Sequence, residues 1–362
     1  MKLQTSLQSF FRKPVLWASA KFNSKPDKER VFNALSKLFD HILSDPGKKG
    51  FVISHTEKKK IIIFSDQHKG RRDGADDFVN AEKNYLEALN YYYKNHFYFI
   101  NLGDGEELWE NTLSQIKKHN IKAFSAEKKF HYRNSFVKIF GNHDLYWAND
   151  PLAGIELKKI YGKKIRVYEG IIINVLFEEK GLQIFCTHGH QGDKRSDGNM
   201  LTKFFVARIW APLQAYLKIN TNEPSNNNIM KTAHNQIMYQ WAAEQNLTLL
   251  ITGHTHQPVF ESLTHLERLY RNKQIAIREN DTGAIHKINL EIKNINGKSD
   301  AVKEDYTHIN PSYFNTGCCC FSDGDITGIE IDNGFIRLIK WGQVEGITQR
   351  IVLEEKALKE FI

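Results

Sequence analysis

Five short polar clusters hold most of the side chains in this chain that could do chemistry. They are Asp66-Gln67-His68, Asp104, Asn142-His143-Asp144, His188-Gly189-His190 and His254-Thr255-His256. Together they offer carboxylate oxygen, amide oxygen and imidazole nitrogen, with no thiolate in the set. That mixture suits Mn, Fe or Zn better than Mg or Ca. In Asp66-Gln67-His68 the i and i+2 side chains of an extended segment point to one side, so both can reach one cation. His254-Thr255-His256 has the same spacing, and its two imidazoles either share one cation or divide between two. A single carboxylate can bridge two cations held roughly 3.5–4 Å apart.

Each cluster has an ordinary reading when taken alone. Asp-x-His is a turn with a surface histidine, Gly-Asn-His-Asp is a turn or a helix cap, and His-Gly-His is a core histidine beside a turn. Their shared context argues otherwise. The runs KKKIIIFSD, HFYFINLGD, SFVKIFGNHD, LQIFCTHGH and LTLLITGHTH are apolar and end abruptly in polar residues. They read as buried strands, and open α/β sheets bind ligands just beyond the carboxyl ends of strands.

The elements between the strands read as follows. Apolar residues at Val31, Leu35, Leu38, Phe39 and Ile42 predict a helix over Asp27 to Leu43. Asp76 and Asp77 are N-caps for a helix through Phe78, Ala81, Tyr85 and Leu89. Residues 195–245 form a helical insertion, aromatic and basic in its first half, and residues 261–311 a charged insertion that begins with a helix. SYFNTGCCCF, DITGIEI and FIRLIKW alternate as strands, with Asp332-Asn333-Gly334 as a hairpin turn. Residues 1–55 read as an N-terminal helical extension and 56–362 as the main domain.

The 362 residues suffice for a large core, and the net charge of +8 favours a polyanion, a phosphate-rich substrate or an anionic surface, or is simply a solvated basic face. The four cysteines (Cys186 and the run Cys318, Cys319, Cys320) lack the spacing of a zinc knuckle or a disulfide framework. They read as small apolar core residues in a reducing compartment. No apolar stretch reaches membrane-spanning length, and the N-terminus lacks the continuous apolar region of a secretory signal. A cytoplasmic location is the expectation, with a peripheral membrane contact through Phe10, Phe11, Leu16 and Trp17 as the alternative.

The ordered set FSDQHKG, LGDGEE, FGNHD, CTHGHQGD and TGHTHQP resembles the pattern of the calcineurin-like metallophosphoesterases, from about Ile61 to His256 and on to YFNTG. The resemblance implies an α/β fold, a four-layer α-β-β-α sandwich with a helical insertion. It implies a phosphoesterase with two divalent cations, Mn above Fe or Zn. One would be held by Asp66, His68 and His256, the second by Asn142, His188 and His254, and Asp104 would bridge them. A bridging water would attack phosphorus. His143 would serve the leaving oxygen, with Asp144 orienting it.

Glu107 stands where many relatives carry a second Asp, and its longer reach suggests support behind the ligands. His190 is either a pocket wall or a turn histidine. Lys69, Arg71 and Arg72 either contact a second phosphate or lie solvated. THGHQGD followed by a helical insertion is similar to the UDP-2,3-diacylglucosamine pyrophosphatases. Phe204, Phe205, Ile209, Trp210, Leu213, Tyr216 and Leu217 would then cap an amphiphilic or nucleotide-containing phosphate ester, or only pack on the core. A DNA or RNA nuclease of the same superfamily and a non-catalytic scaffold are the rival functions.

Overall fold

The structure is a computed structural model, and it describes residues 27–55, 59–177, 180–192, 224–296 and 309–362. The first half of the 195–245 insertion, with its aromatic run, and the N-terminal aromatics lie outside these residues.

In chain order, the first elements are α1 (Lys28–Ser44), β1 (Gly50–His55), β2 (Ile61–Phe64), α2 (Phe78–Lys94), β3 (Tyr98–Leu102), α3 (Leu113–His119), α4 (Ile121–Tyr132) and β4 (Phe136–Ile139). There follow α5 (Tyr146–Asn149), α6 (Ala153–Tyr161), β5 (Val167–Tyr168), β6 (Gly170–Phe177), β7 (Lys180–Thr187), α7 (Pro224–Ala243) and β8 (Thr248–Thr252). The chain closes through β9 (Val259–Phe260), β10 (Leu263–Thr264), α8 (His265–Arg278), α9 (Thr282–Asn296), β11 (Tyr313–Asn315), β12 (Ile326–Asp332), β13 (Phe335–Val344) and β14 (Ile347–Ala357).

Two seven-stranded sheets result, in the orders β1-β6-β7-β8-β11-β9-β10 and β14-β13-β12-β2-β3-β4-β5. The alternation along each strand stacks them. Ile61 and Ile63 of β2 join Ile100, Leu102, Ile171, Ile173, Ile184 and Ile251 in the core between the sheets. Ile62 and Phe64, pointing the other way, pack with Phe78, Tyr85 and Phe130 of the helices outside the second sheet. On the far face of the first sheet, Val31, Leu35, Leu38 and Ile42 of α1 meet Ile172, Phe185, Leu250 and Trp241. All four α1 residues are buried, each worth about 1.5–3 kcal/mol. The layers are therefore α-β-β-α, as the motifs implied.

The helices and turns have local causes. Asp27 Oδ1 accepts from the Arg30 N–H at the start of α1, and Thr264 with Glu267 forms a capping box on α8. Asn333 and Gly334 both take positive φ in the two-residue hairpin that pairs Asp332 with Phe335. One segment differs from its reading as an appendage. Residues 28–55 supply α1 and β1, and β1 runs parallel to β6 from Gly50–Gly170 to His55–Val175. Parallel pairing joins segments far apart in sequence, so no local pattern announces it.

Candidate metal centre

The clusters sit at the carboxyl ends of β2, β3 and β4 in one sheet and β7 and β8 in the other. Stacking the sheets brings all five together. Asp66, His68, Asp104, His254 and His256 each take a positive φ, a region that non-glycine residues enter at a cost and that recurs at functional sites. Two glycines make room. A Cβ on Gly141 would strike Asp104, and one on Gly253 would strike Ser65 and Asp66.

Among the described residues there are four groups of ligand-capable side chains, each with its donor atoms within 4.8 Å of one another, and three of them are built from the clusters alone. Those three are Asp66–His68–His256, His68–Asp104–His143 and Asp104–His188–His254. Asp104 joins the others. Its Oδ1 accepts the His143 N–H at 2.8 Å, while Oδ2 lies 3.0 Å from His188 Nε2 and 3.8 Å from His68 Nε2. Asp66 Oδ2 accepts from Ser65 Oγ and from the His254 N–H. Its Oδ1 has no hydrogen-bond partner, and neither does Asn142 Oδ1 or His188 Nε2, although all three are buried. Asp66 Oδ1 and His188 Nε2 lie 4.0 Å apart, and buried acceptors so close together without hydrogen-bond partners fit a cation.

The tautomers agree. An ionised carboxylate only accepts, so Glu107 takes the Nδ1–H of His68 at 2.8 Å. The Leu102 carbonyl takes that of His188 at 2.9 Å. In the neutral rings both Nε2 atoms then carry lone pairs. His68 Nε2 faces His256 Nε2 at 3.1 Å, an arrangement that an electron-poor centre between them relieves.

The field points the same way. Burial raises the Asp66 and Asp104 carboxyls, but the surrounding histidines outweigh it and hold both below the usual carboxylate range. Burial lowers His188 and His256, yet the carboxylates (Asp104 and Asp66 at His188, Asp66 at His256) push both up to about 9. The carboxylates thus favour added positive charge. His254 is held low by burial and by the His234 and His188 rings, as a neutral ligand would be.

Several sequence assignments change. Asp144 does not orient His143. Its Oδ1 accepts from Gly141 N–H at 2.6 Å and its Oδ2 from Gly105 N–H at 2.9 Å. The chain bends at Asn142 and turns through His143, Asp144 and Leu145, so the short Asp144 side chain reaches back to backbone. Glu107, longer by one methylene, takes the His143 Nδ1–H instead, at 2.9 Å. Trp109 stacks on the His143 ring at 4.3 Å.

Lys69 is neither solvated nor aimed at substrate. It is fully buried, 2.6 Å from Glu127 and 3.3 Å from Glu106. Arg71 pairs with Asp73 and Arg72 with Glu82. His190 is buried beside His188, their rings 5.4 Å apart. Burial and the neighbouring His188 lower it to about 3. It also walls a cleft lined by Arg30, Lys37, Glu169 and Gln191.

Two other residues contribute. His234 of α7 meets the Gly189 carbonyl at 2.8 Å, and its ring lies 5.2 Å from that of His254. Asn315, of YFNTG, donates to the Gly253 carbonyl at 2.7 Å.

Beneath the site lies a buried charge network. Lys138 Nζ is 2.8 Å from Glu106 Oε2 and 3.9 Å from Asp144 Oδ2. Trp147 Nε1 donates to Glu106 at 2.6 Å, and Tyr85 and Tyr161 donate to Glu127. Removing one partner of such a pair leaves an uncompensated buried charge. Lys138→Met is therefore expected to lose about 3–5 kcal/mol in urea unfolding, and a loss below about 1 kcal/mol would show that the network relaxes without its lysine.

No curated protein matches the chain. Among solved structures, vacuolar protein sorting 29 from Cryptosporidium parvum is 11% identical, covering 83% of this chain and 100% of that one, with a TM-score of 0.32. The cold-active protein-tyrosine phosphatase of a Shewanella species is 11% identical, covering 84% and 82%, with a TM-score of 0.33. The family model for calcineurin-like phosphoesterases matches residues 59–258, the span that carries all five clusters, and the chain belongs to that family.

Proposed function

We propose that the protein is a dinuclear metal-dependent phosphoesterase that hydrolyses a phosphate ester or pyrophosphate. The observation that carries this reading is that the unpartnered Asp66 Oδ1 and His188 Nε2 atoms face each other at 4.0 Å where two groups of ligands abut, with Asn142 Oδ1 buried and likewise unpartnered. Asp66, His68 and His256 would hold one cation, Asn142, His188 and His254 the other, and Asp104, which stands between the groups, both. Such cations, when bound, draw charge from phosphoryl oxygens and make water acidic enough to attack phosphorus near neutral pH.

The chain's own groups do the rest. Glu107 accepts the His143 Nδ1–H, which leaves Nε2 free to face the leaving oxygen, and a ring that has taken up a second proton there would hand it on as the ester bond breaks. Trp109 restrains the ring from its face. The cationic side chains of the cleft at His190, Arg30 and Lys37, support a substrate with a second anionic group, such as a pyrophosphate.

The test is to strip the protein with chelator, reload it with Mn, Fe or Zn, and assay aryl phosphomonoesters, aryl phosphodiesters, nucleotide pyrophosphates and single-stranded DNA. Hydrolysis is expected only after reloading, with nucleotide pyrophosphates cleaved faster than monoesters. Protein that binds two equivalents of metal and cleaves none of these would overturn the reading.

A further inference from the structure

Two of the candidate ligand histidines have their second ring nitrogen anchored to oxygen, His68 to Glu107 and His188 to the Leu102 carbonyl. Such anchoring fixes the tautomer and ring orientation of a metal-binding histidine. His256 is built differently. Its Nε2 faces Asp66 Oδ1 at 3.2 Å, and its Nδ1 faces Cys320 Sγ at 3.8 Å. Cys318 completes the group, since donor atoms of His256, Cys318 and Cys320 lie within 4.8 Å of one another. The i, i+2 spacing of the two cysteines sends both thiols toward His256. Cys319 between them points away, into the core with Phe64 and Tyr85, its Sγ 3.9 Å from the Thr327 carbonyl.

We infer that Cys320, supported by Cys318, positions His256 by accepting its Nδ1–H on sulfur, so that Nε2 presents its lone pair to the cation shared with Asp66 and His68. The inference rests on the metal reading above. The chemistry is direct. A neutral imidazole carries one N–H, and a ring that gives its Nε2 lone pair to a cation must carry that proton on Nδ1. Sulfur is the atom placed to receive it. All three cysteines are buried.

The test uses the full chain. Cys320→Val keeps the size of the side chain and removes the acceptor. Cys320→Ser keeps an acceptor, and Cys319→Val is the control on the same loop. Metal content is read by elemental analysis, and the affinity of each site by titration with Co²⁺ followed by its visible absorption. One of the two cations is expected to bind about 10–100-fold more weakly in Cys320→Val, with partial recovery in Cys320→Ser and no change in Cys319→Val.

Both cations bound with wild-type affinity and spectrum in Cys320→Val would overturn the inference while leaving the metal reading intact. Equal weakening at both sites would also overturn it, as general damage to the fold. Wild-type protein that binds no cation would remove both readings. Should Cys320→Val not fold, histidine ¹⁵N spectra of the metal-loaded wild type decide. A proton on His256 Nδ1 is expected, and a bare Nδ1 would refute the assignment.

Discussion

Asp104→Asn is expected to abolish metal loading and hydrolysis together. Asp104 is the carboxylate that faces both ligand groups. Its Oδ2 lies between His188 Nε2 and His68 Nε2, at 3.0 and 3.8 Å. The amide keeps the shape and still accepts the His143 N–H, so the fold should survive. What disappears is the negative charge that would hold two cations close. Charge stabilisation by such ions is worth several kcal/mol, and each 1.4 kcal/mol is about tenfold in rate, so kcat/KM should fall by about 10³ or more. Elemental analysis beside the kinetics checks it. A variant that keeps two equivalents of metal and its rate would contradict the bridging role.

His143→Gln is expected to separate turnover from metal. Its ring lies against His68, with centroids 4.6 Å apart, yet Glu107 holds its Nδ1. If it serves the leaving group, both cations stay and kcat falls by about 10²–10⁴ with alkyl or sugar leaving groups. The fall should be much smaller with nitrophenolate, which needs no proton to depart. Glu107→Gln extends the test, because Glu107 holds both His68 and His143. It should lower metal affinity and turnover alike, whereas Asp144→Asn should act through stability and leave the dependence on leaving group unchanged. Loss of one metal equivalent in His143→Gln would make that residue a ligand instead.

Much of the site was legible because each cluster follows a strand whose pattern is local. Ile61 to Phe64 read as a strand from four consecutive apolar residues, and Asp66 and His68 follow by simple chain geometry. The Asn333-Gly334 hairpin is equally local. The Asp144 assignment failed for a related reason. Sequence adjacency to His143 suggested contact, but the turn after Gly141 aims the carboxylate at backbone.

The sequence by itself determined the strands, the order of the clusters, the donor set and the family, because these depend on residue type and on spacings of a few positions. Only the tertiary structure decided how the donors meet. Glu107 serving two histidines, Lys69 withdrawn into a buried ion-pair network, β1 pairing with β6, and two thiols turned toward His256 all join residues from separate elements. Their energies come from burial and charge pairing between segments distant along the chain. No periodicity within a single element encodes them.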